Sequence, residues 1–130
     1  NKGNRYFKKY RCVKESLFFQ TFQGMEGKAK IDGLMDALRN EPPKQVGPFK
    51  VTALEDYKKS IRTDIATGET SALTLPESNV LYFELEGGAW FCVRPSGTEP
   101  KIKYYAGVKG ADTQDATDKL EALSKAVVEL

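Results

Sequence analysis

The chain contains no histidine in its 130 residues, and that one absence removes a block of chemistry. A histidine-based triad, an imidazole acid–base pair and a His-containing zinc site are all excluded. Cysteine is nearly as scarce. Cys12 and Cys92 stand 80 positions apart, with no Cys-x-x-Cys pair. Cys92 falls in an apolar run and is expected to be a buried small hydrophobe, and the two thiols are expected to stay reduced. No apolar run approaches the roughly 20 residues that a membrane span needs, and the opening Asn1-Lys2-Gly3 carries no apolar signal-peptide core. A cytoplasmic protein without a membrane partner is the expectation. A strong excess of one charge is missing too. Twenty Lys and Arg against 18 Asp and Glu leave a net charge of +2, which gives no basic face of the kind nucleic-acid binders show.

What is present is the composition of an ordinary folded domain. Apolar residues make up 40% and charged residues 29%, which places the chain among globular proteins and away from disordered tails. The length allows one domain with a modest core. Residues 1–15 interleave cations with aromatics (Arg5, Tyr6, Phe7, Lys8, Lys9, Tyr10, Arg11, Lys14). That pattern suits phosphate neutralisation and base stacking, but the low net charge favours a linker or N-terminal arm whose aromatics pack on a neighbouring domain. Residues 16–130 are read as the domain itself.

Within it the periodicity is plain at the ends and weak in the middle. Residues 16–22 alternate as a strand. Ile31, Leu34, Met35 and Leu38 fall at i, i+3, i+4 and i+7 of a helix over 24–40, ended by Asn40 and Pro42-Pro43. Phe49, Val51 and Ala53 alternate again. Residues 57–79 carry turn chemistry and no period, so a long irregular connection is expected. Residues 80–85 and 89–93 flank Glu86-Gly87-Gly88 as a hairpin. Residues 102–108 form a strand with Ile102, Tyr104, Ala106 and Val108 on one face, and Lys103 and Tyr105 on the other. Ala116, Leu120, Leu123, Val127 and Leu130 make the stripe of a final helix, capped by Asp112 or Thr113. The order β-α-β-β-β-α implies an α+β fold: a four-stranded, mostly antiparallel sheet with two helices on one face.

Between two of these strands lies the most informative stretch, Arg94-Pro95-Ser96-Gly97-Thr98-Glu99-Pro100-Lys101. Pro95 fits the second position of a type I turn and Gly97 the fourth. Successive backbone N–H groups of such a turn make an anion-binding nest. Ser96 and Thr98 add hydroxyl donors, and Arg94 supplies a planar fork that matches two phosphate oxygens. Glu99 is placed to orient Arg94. On residue chemistry alone two readings stand, a phosphate loop or an ordinary hairpin turn.

The literal string resembles the phosphate-binding loop in the fourth, C-terminal domain of the α-D-phosphohexomutase superfamily. The flanks Trp90-Phe91 and Lys101-Ile102-Lys103-Tyr104-Tyr105, and the upstream segment from Gly24 to Pro43, are similar to its bacterial phosphoglucomutase/phosphomannomutase branch. The resemblance covers most of the chain after about Ser16. It implies a TATA-binding-protein-like α+β fold, and a role in holding the non-reacting phosphate of a hexose phosphate on Arg94, Ser96, Gly97, Thr98 and, more softly, Lys103. It also implies that catalysis resides elsewhere. The phosphoserine donor, the Mg²⁺-binding aspartates and the sugar-recognition loop belong to three upstream domains, the expected partners of this one. No catalytic residue, metal ligand or cofactor is therefore expected here, while Mg²⁺ and a hexose 1,6-bisphosphate activator are implied for the full-length enzyme. A free-standing anion- or RNA-binding module is the alternative from a different class.

Overall fold

In the computed structural model, which describes residues 12–22, 24–96 and 99–130, both apolar stripes become helices. Helix α1 (Gly27–Asn40) buries Ile31, Met35 and Leu38. It starts three residues later than its periodicity suggests, because Gly24 takes a positive φ of 93° and its carbonyl accepts the Gly27 N–H in a preceding turn. Helix α2 (Thr113–Val128) buries Ala116, Leu123 and Val127. Its start is fixed reciprocally. The Asp112 side chain accepts from the Asp115 N–H at 2.8 Å, and Asp115 Oδ2 accepts from the Ala111 N–H at 2.8 Å, so two otherwise unpaired donors are satisfied.

The strands are β1 (Cys12–Thr21), β2 (Gln45–Val46), β3 (Phe49–Asp56), β4 (Ile61–Asp64), β5 (Thr70–Ala72), β6 (Leu81–Leu85), β7 (Trp90–Pro95) and β8 (Lys101–Gly110). They lie in the order β1-β8-β7-β6-β3-β4-β5, with β2 paired to the start of β3. Every pairing is antiparallel. Ile102, Tyr104, Ala106 and Val108 of β8 join Phe91 and Val93 of β7, Leu81, Phe83 and Leu85 of β6, and the buried residues of both helices in one core. The helices therefore cover one face of the sheet. The opposite face carries Leu17, Phe19, Tyr82, Trp90, Cys92, Arg94, Lys103 and Tyr105, all half-buried or exposed.

The α+β class and the two helices agree with the sequence, and the strand count does not. Eight strands replace four. The order β-α-β-β-β-α is one strand short of the alternating runs themselves, which become β1, β3, β6, β7 and β8. The additions are β2, β4 and β5. The connection over 57–79 holds the last two, and neither has a buried residue, so neither shows the alternation that marks a half-buried strand. Their turn is built locally: Asp64 Oδ1 accepts the Ala66 and Thr67 N–H groups at 3.0 and 3.1 Å, and Gly68 takes a φ of 77°. Strand β1 begins at Cys12, within the stretch read as an arm; residues 1–11 lie outside the described residues. Among the described residues no helix is long and apolar enough to cross a membrane.

Candidate functional site

The register of the β7–β8 hairpin decides what the open face presents at this end. Arg94 stands directly opposite Lys103, and Lys103 is in turn opposite Phe19 of β1. Residues so paired on one face have Cβ atoms about 4.5–5.5 Å apart, and like charges in that position repel. Arg94 is exposed and Lys103 half-buried. Among the described residues neither takes part in an ion pair. The sheet thus holds two cations side by side with no carboxylate between them.

The loop beyond them is tied down at its base. The Ser96 N–H donates to the Lys101 carbonyl at 2.9 Å, the Lys101 N–H donates to the Glu99 carbonyl at 2.8 Å, and the Phe22 N–H donates to the Pro100 carbonyl at 2.7 Å. The last bond fixes the loop to the end of β1. Helix α1 comes against the same corner through a glycine. A Cβ on Gly27 would stand 2.6 Å from the Phe22 carbonyl oxygen and 3.0 Å from Pro100 Cβ, so only a residue without a side chain allows this approach.

Three expectations need correction. Pro95 is not the second residue of a turn but the end of β7, opposite Ile102. Its fixed φ suits an extended strand end equally well, and the Ser96 N–H carries the ladder one residue further. That same bond uses the Ser96 amide to close the hairpin, which removes it as a nest donor. Glu99 pairs with Lys101 at 3.3 Å and not with Arg94. Lys101 also lies 4.9 Å from the centre of the Phe19 ring, so its charge is already engaged. Of the predicted site residues, Arg94, Lys103 and Ser96 are gathered at the hairpin end, while Gly97 and Thr98 lie outside the described residues.

One step along the open face, Cys92 stands opposite Tyr105 and Tyr82. It is half-buried beneath these neighbours and not sealed in the helix-side core, a correction to the buried-hydrophobe reading. Burial nonetheless pushes its thiol up to about 11, against the pull of Arg94 in the other direction. Tyr82 stacks on Trp90 with ring centres 5.5 Å apart at 14°. Trp90 can lie across the sheet because its neighbour on β8 is Gly107, where any side chain would collide with the indole. Burial, then the charges of Glu55 and Glu84, push the Tyr82 hydroxyl up to about 12. Glu84 itself is held by Arg62 at 2.9 Å.

Known proteins share this arrangement of sequence. The family described as phosphoglucomutase/phosphomannomutase, C-terminal domain, matches residues 34–123, a stretch that includes β7, β8 and the loop between them. The chain belongs to that family. It is 39% identical to a phosphoglucomutase of Staphylococcus aureus over 109 residues, covering 84% of this chain and 20% of that protein. It is 43% identical to a phosphoglucomutase of Staphylococcus epidermidis over 94 residues, covering 72% of this chain and 17% of that protein. The chain thus spans about a fifth of the length of these phosphoglucomutases, and it corresponds to a C-terminal domain of a phosphohexomutase, as the resemblance of the Arg94–Lys101 loop and its flanks implies.

Proposed function

We propose that this chain is the part of a phosphoglucomutase or phosphomannomutase that grips the non-reacting phosphate during interconversion of hexose 1-phosphate and hexose 6-phosphate. The carrying observation is the cross-strand pair Arg94–Lys103, without an acidic partner among the described residues. Two opposed cations on one sheet face are unfavourable until an anion joins them. Arg94 would form the bidentate pair, Lys103 would add a point charge, and Ser96 would donate its hydroxyl. Gly97 and Thr98 complete the loop in this reading. Binding energy from the remote phosphate is then available to orient the reacting end and to close the cleft. A hinged terminal domain would also release the bisphosphate to turn round between its two transfers.

On this reading the chain alone is inactive, and the upstream domains of the full-length enzyme are its partners. In the same reading Mg²⁺ and a hexose 1,6-bisphosphate activator belong to the full-length enzyme, with the metal held by the upstream domains. The RNA-binding alternative rests on the cations and aromatics of residues 1–15, of which 1–11 lie outside the described residues, and the net charge of +2 speaks against it. The test is Arg94→Ala in the full-length enzyme. Loss of a charge-assisted, bidentate contact should raise KM and lower kcat/KM about 10- to 100-fold, with Lys103→Ala giving a smaller drop. Unchanged kinetics in Arg94→Ala would overturn the reading.

A further inference from the structure

The two edges of the sheet are built differently. At one edge β5 is three residues long and wholly exposed, and shortness is one of the ways a free edge is kept from pairing. At the other edge β1 runs for ten residues, contains no proline and keeps one unbroken register with β8. Among the described residues no strand pairs with its outer side. Alternate residues of β1 therefore turn their backbone N–H and C=O groups away from the sheet, toward no ladder partner. The lysine that would blunt this edge is turned inward, since Lys14 Nζ donates to Thr117 Oγ1 of α2 at 2.8 Å. Val13, Leu17 and Phe19 stand on the open face at 57%, 51% and 50% exposure.

Cavities flank the middle of this strand on both sides. On the open face one of about 450 Å³ is lined by Glu15, Ser16, Leu17, Trp90 and Tyr105. On the helix side one of about 270 Å³ is lined by Lys14, Ser16, Thr117, Leu120, Glu121 and Ser124. Ser16 belongs to both, so the two adjoin across β1. A strand laid against β1 would send successive side chains to opposite faces, and so toward the two cavities in turn. Their chemistry differs. The register sets Glu15 across the bare Gly107 from Trp90, and Glu15 enters no ion pair among the described residues. A carboxylate beside an indole suits a cation. The helix-side cavity offers the hydroxyls of Ser16, Thr117 and Ser124, which suit a small polar side chain.

We propose that β1 accepts an extended segment of another protein as a further strand of the sheet, with a basic side chain beside Glu15 and Trp90 and hydroxyl-bearing side chains toward α2. Main-chain hydrogen bonds to the free edge supply the affinity in this mode of recognition, and the flanking cavities supply the selectivity. Neither Arg94 nor Lys103 takes part, so the proposal is independent of the phosphate reading.

The test uses the full-length enzyme and a fluorescein-labelled peptide, Thr-Val-Thr-Arg-Thr-Val-Thr, followed by anisotropy. As a strand, the peptide shows its arginine and valines on one face and its threonines on the other. Two further versions are N-methylated, one on the threonine amides and one on the alternate amides. Only one of these sets can point at β1, so one version should bind about 10- to 100-fold more weakly than the other through the loss of several hydrogen bonds. Glu15→Gln, at an exposed position, should weaken the parent peptide about two- to fivefold at low salt. Hydrogen exchange at the outward-facing amides of β1, resolved residue by residue, should slow only when the peptide is present. Equal binding of the two N-methylated versions, no binding of the parent peptide, or an unchanged affinity in Glu15→Gln would overturn the proposal. Slow exchange at the same amides without peptide would also overturn it, because an upstream domain or a second copy of the chain then covers the edge.

Discussion

Arg39, in the last turn of α1, reaches oxygens on three separate segments: Asp36 at 3.5 Å, Asp56 at 3.0 Å and Asn79 at 3.0 Å. Asp56 uses its other oxygen to accept the Lys58 and Lys59 N–H groups at 3.0 and 3.2 Å. One buried pair thus ties a helix end, a strand end and two loops together. A buried pair adds little over well-packed apolar residues, but removing one member strands the other without solvent. Arg39→Ala should accordingly cost about 3–5 kcal/mol, seen as a lower urea midpoint at unchanged slope. Replacing both partners, as Arg39→Met with Asp56→Leu, should cost less than the single change. If Arg39→Ala costs under about 1 kcal/mol, water reaches Asp56 and the pair is not a structural tie. Nothing local announces this network, because its hydrogen-bonded partners stand 17 and 40 positions away. The cation pair at the proposed site was half legible. Strand alternation puts Lys103 on the face opposite Ile102 and Tyr104, whereas its position beside Arg94 follows from the hairpin register, which depends on how the loop closes.

At the scale of elements, the helices were the most readable because their stripes are long and one-sided. Ile31, Met35 and Leu38 in α1 and Ala116, Leu123 and Val127 in α2 are buried as their spacing requires. Leu34 and Leu120 only lean on the core, and Leu130 falls beyond the end of α2 at 39% exposure. Strands β4 and β5 are illegible for the opposite reason, since a strand that buries neither face leaves no pattern. The helices still carry local weaknesses. Gly33 sits on the exposed side of α1, where an added Cβ meets nothing within 4 Å. Gly33→Ala should therefore stabilise the chain by about 0.5–1 kcal/mol, through the entropy of the unfolded state. A rise in urea midpoint checks it, and an unchanged or lower midpoint would show that α1 frays at this residue. Asp112→Ala removes the acceptor for the Asp115 N–H and should cost about 1 kcal/mol, with the loss of protection against hydrogen exchange concentrated in the first turn of α2.

For the whole molecule, the asymmetry between the two sheet faces has a consequence at high pH. On the helix-covered face, burial pushes the Tyr104 hydroxyl upward. The open face half-buries Cys92 and Tyr82, and burial raises the first from an ordinary 9.0 to about 11 and the second from 10.0 to about 12. In both cases the folded state holds its proton more tightly than the unfolded chain does. Stability linked to these groups is therefore fully present below pH 9, where both states are protonated. It declines as the unfolded chain deprotonates first, and is lost by the time pH passes the folded values. Thermal melting should be flat from pH 7 to 9 and then fall between 9 and 12. In a Cys12→Ser background, Cys92→Ser should remove the part of the decline between 9 and 11, and Tyr82→Phe the part between 10 and 12. Arg94 opposes the rise at Cys92, so Arg94→Ala should move the thiol's titration still higher, followed as thiolate absorbance. Melting temperatures that stay level to pH 12 would mean that solvent reaches both groups in the folded chain, and that the open face is wetter than its stacked Tyr82 and Trp90 rings imply.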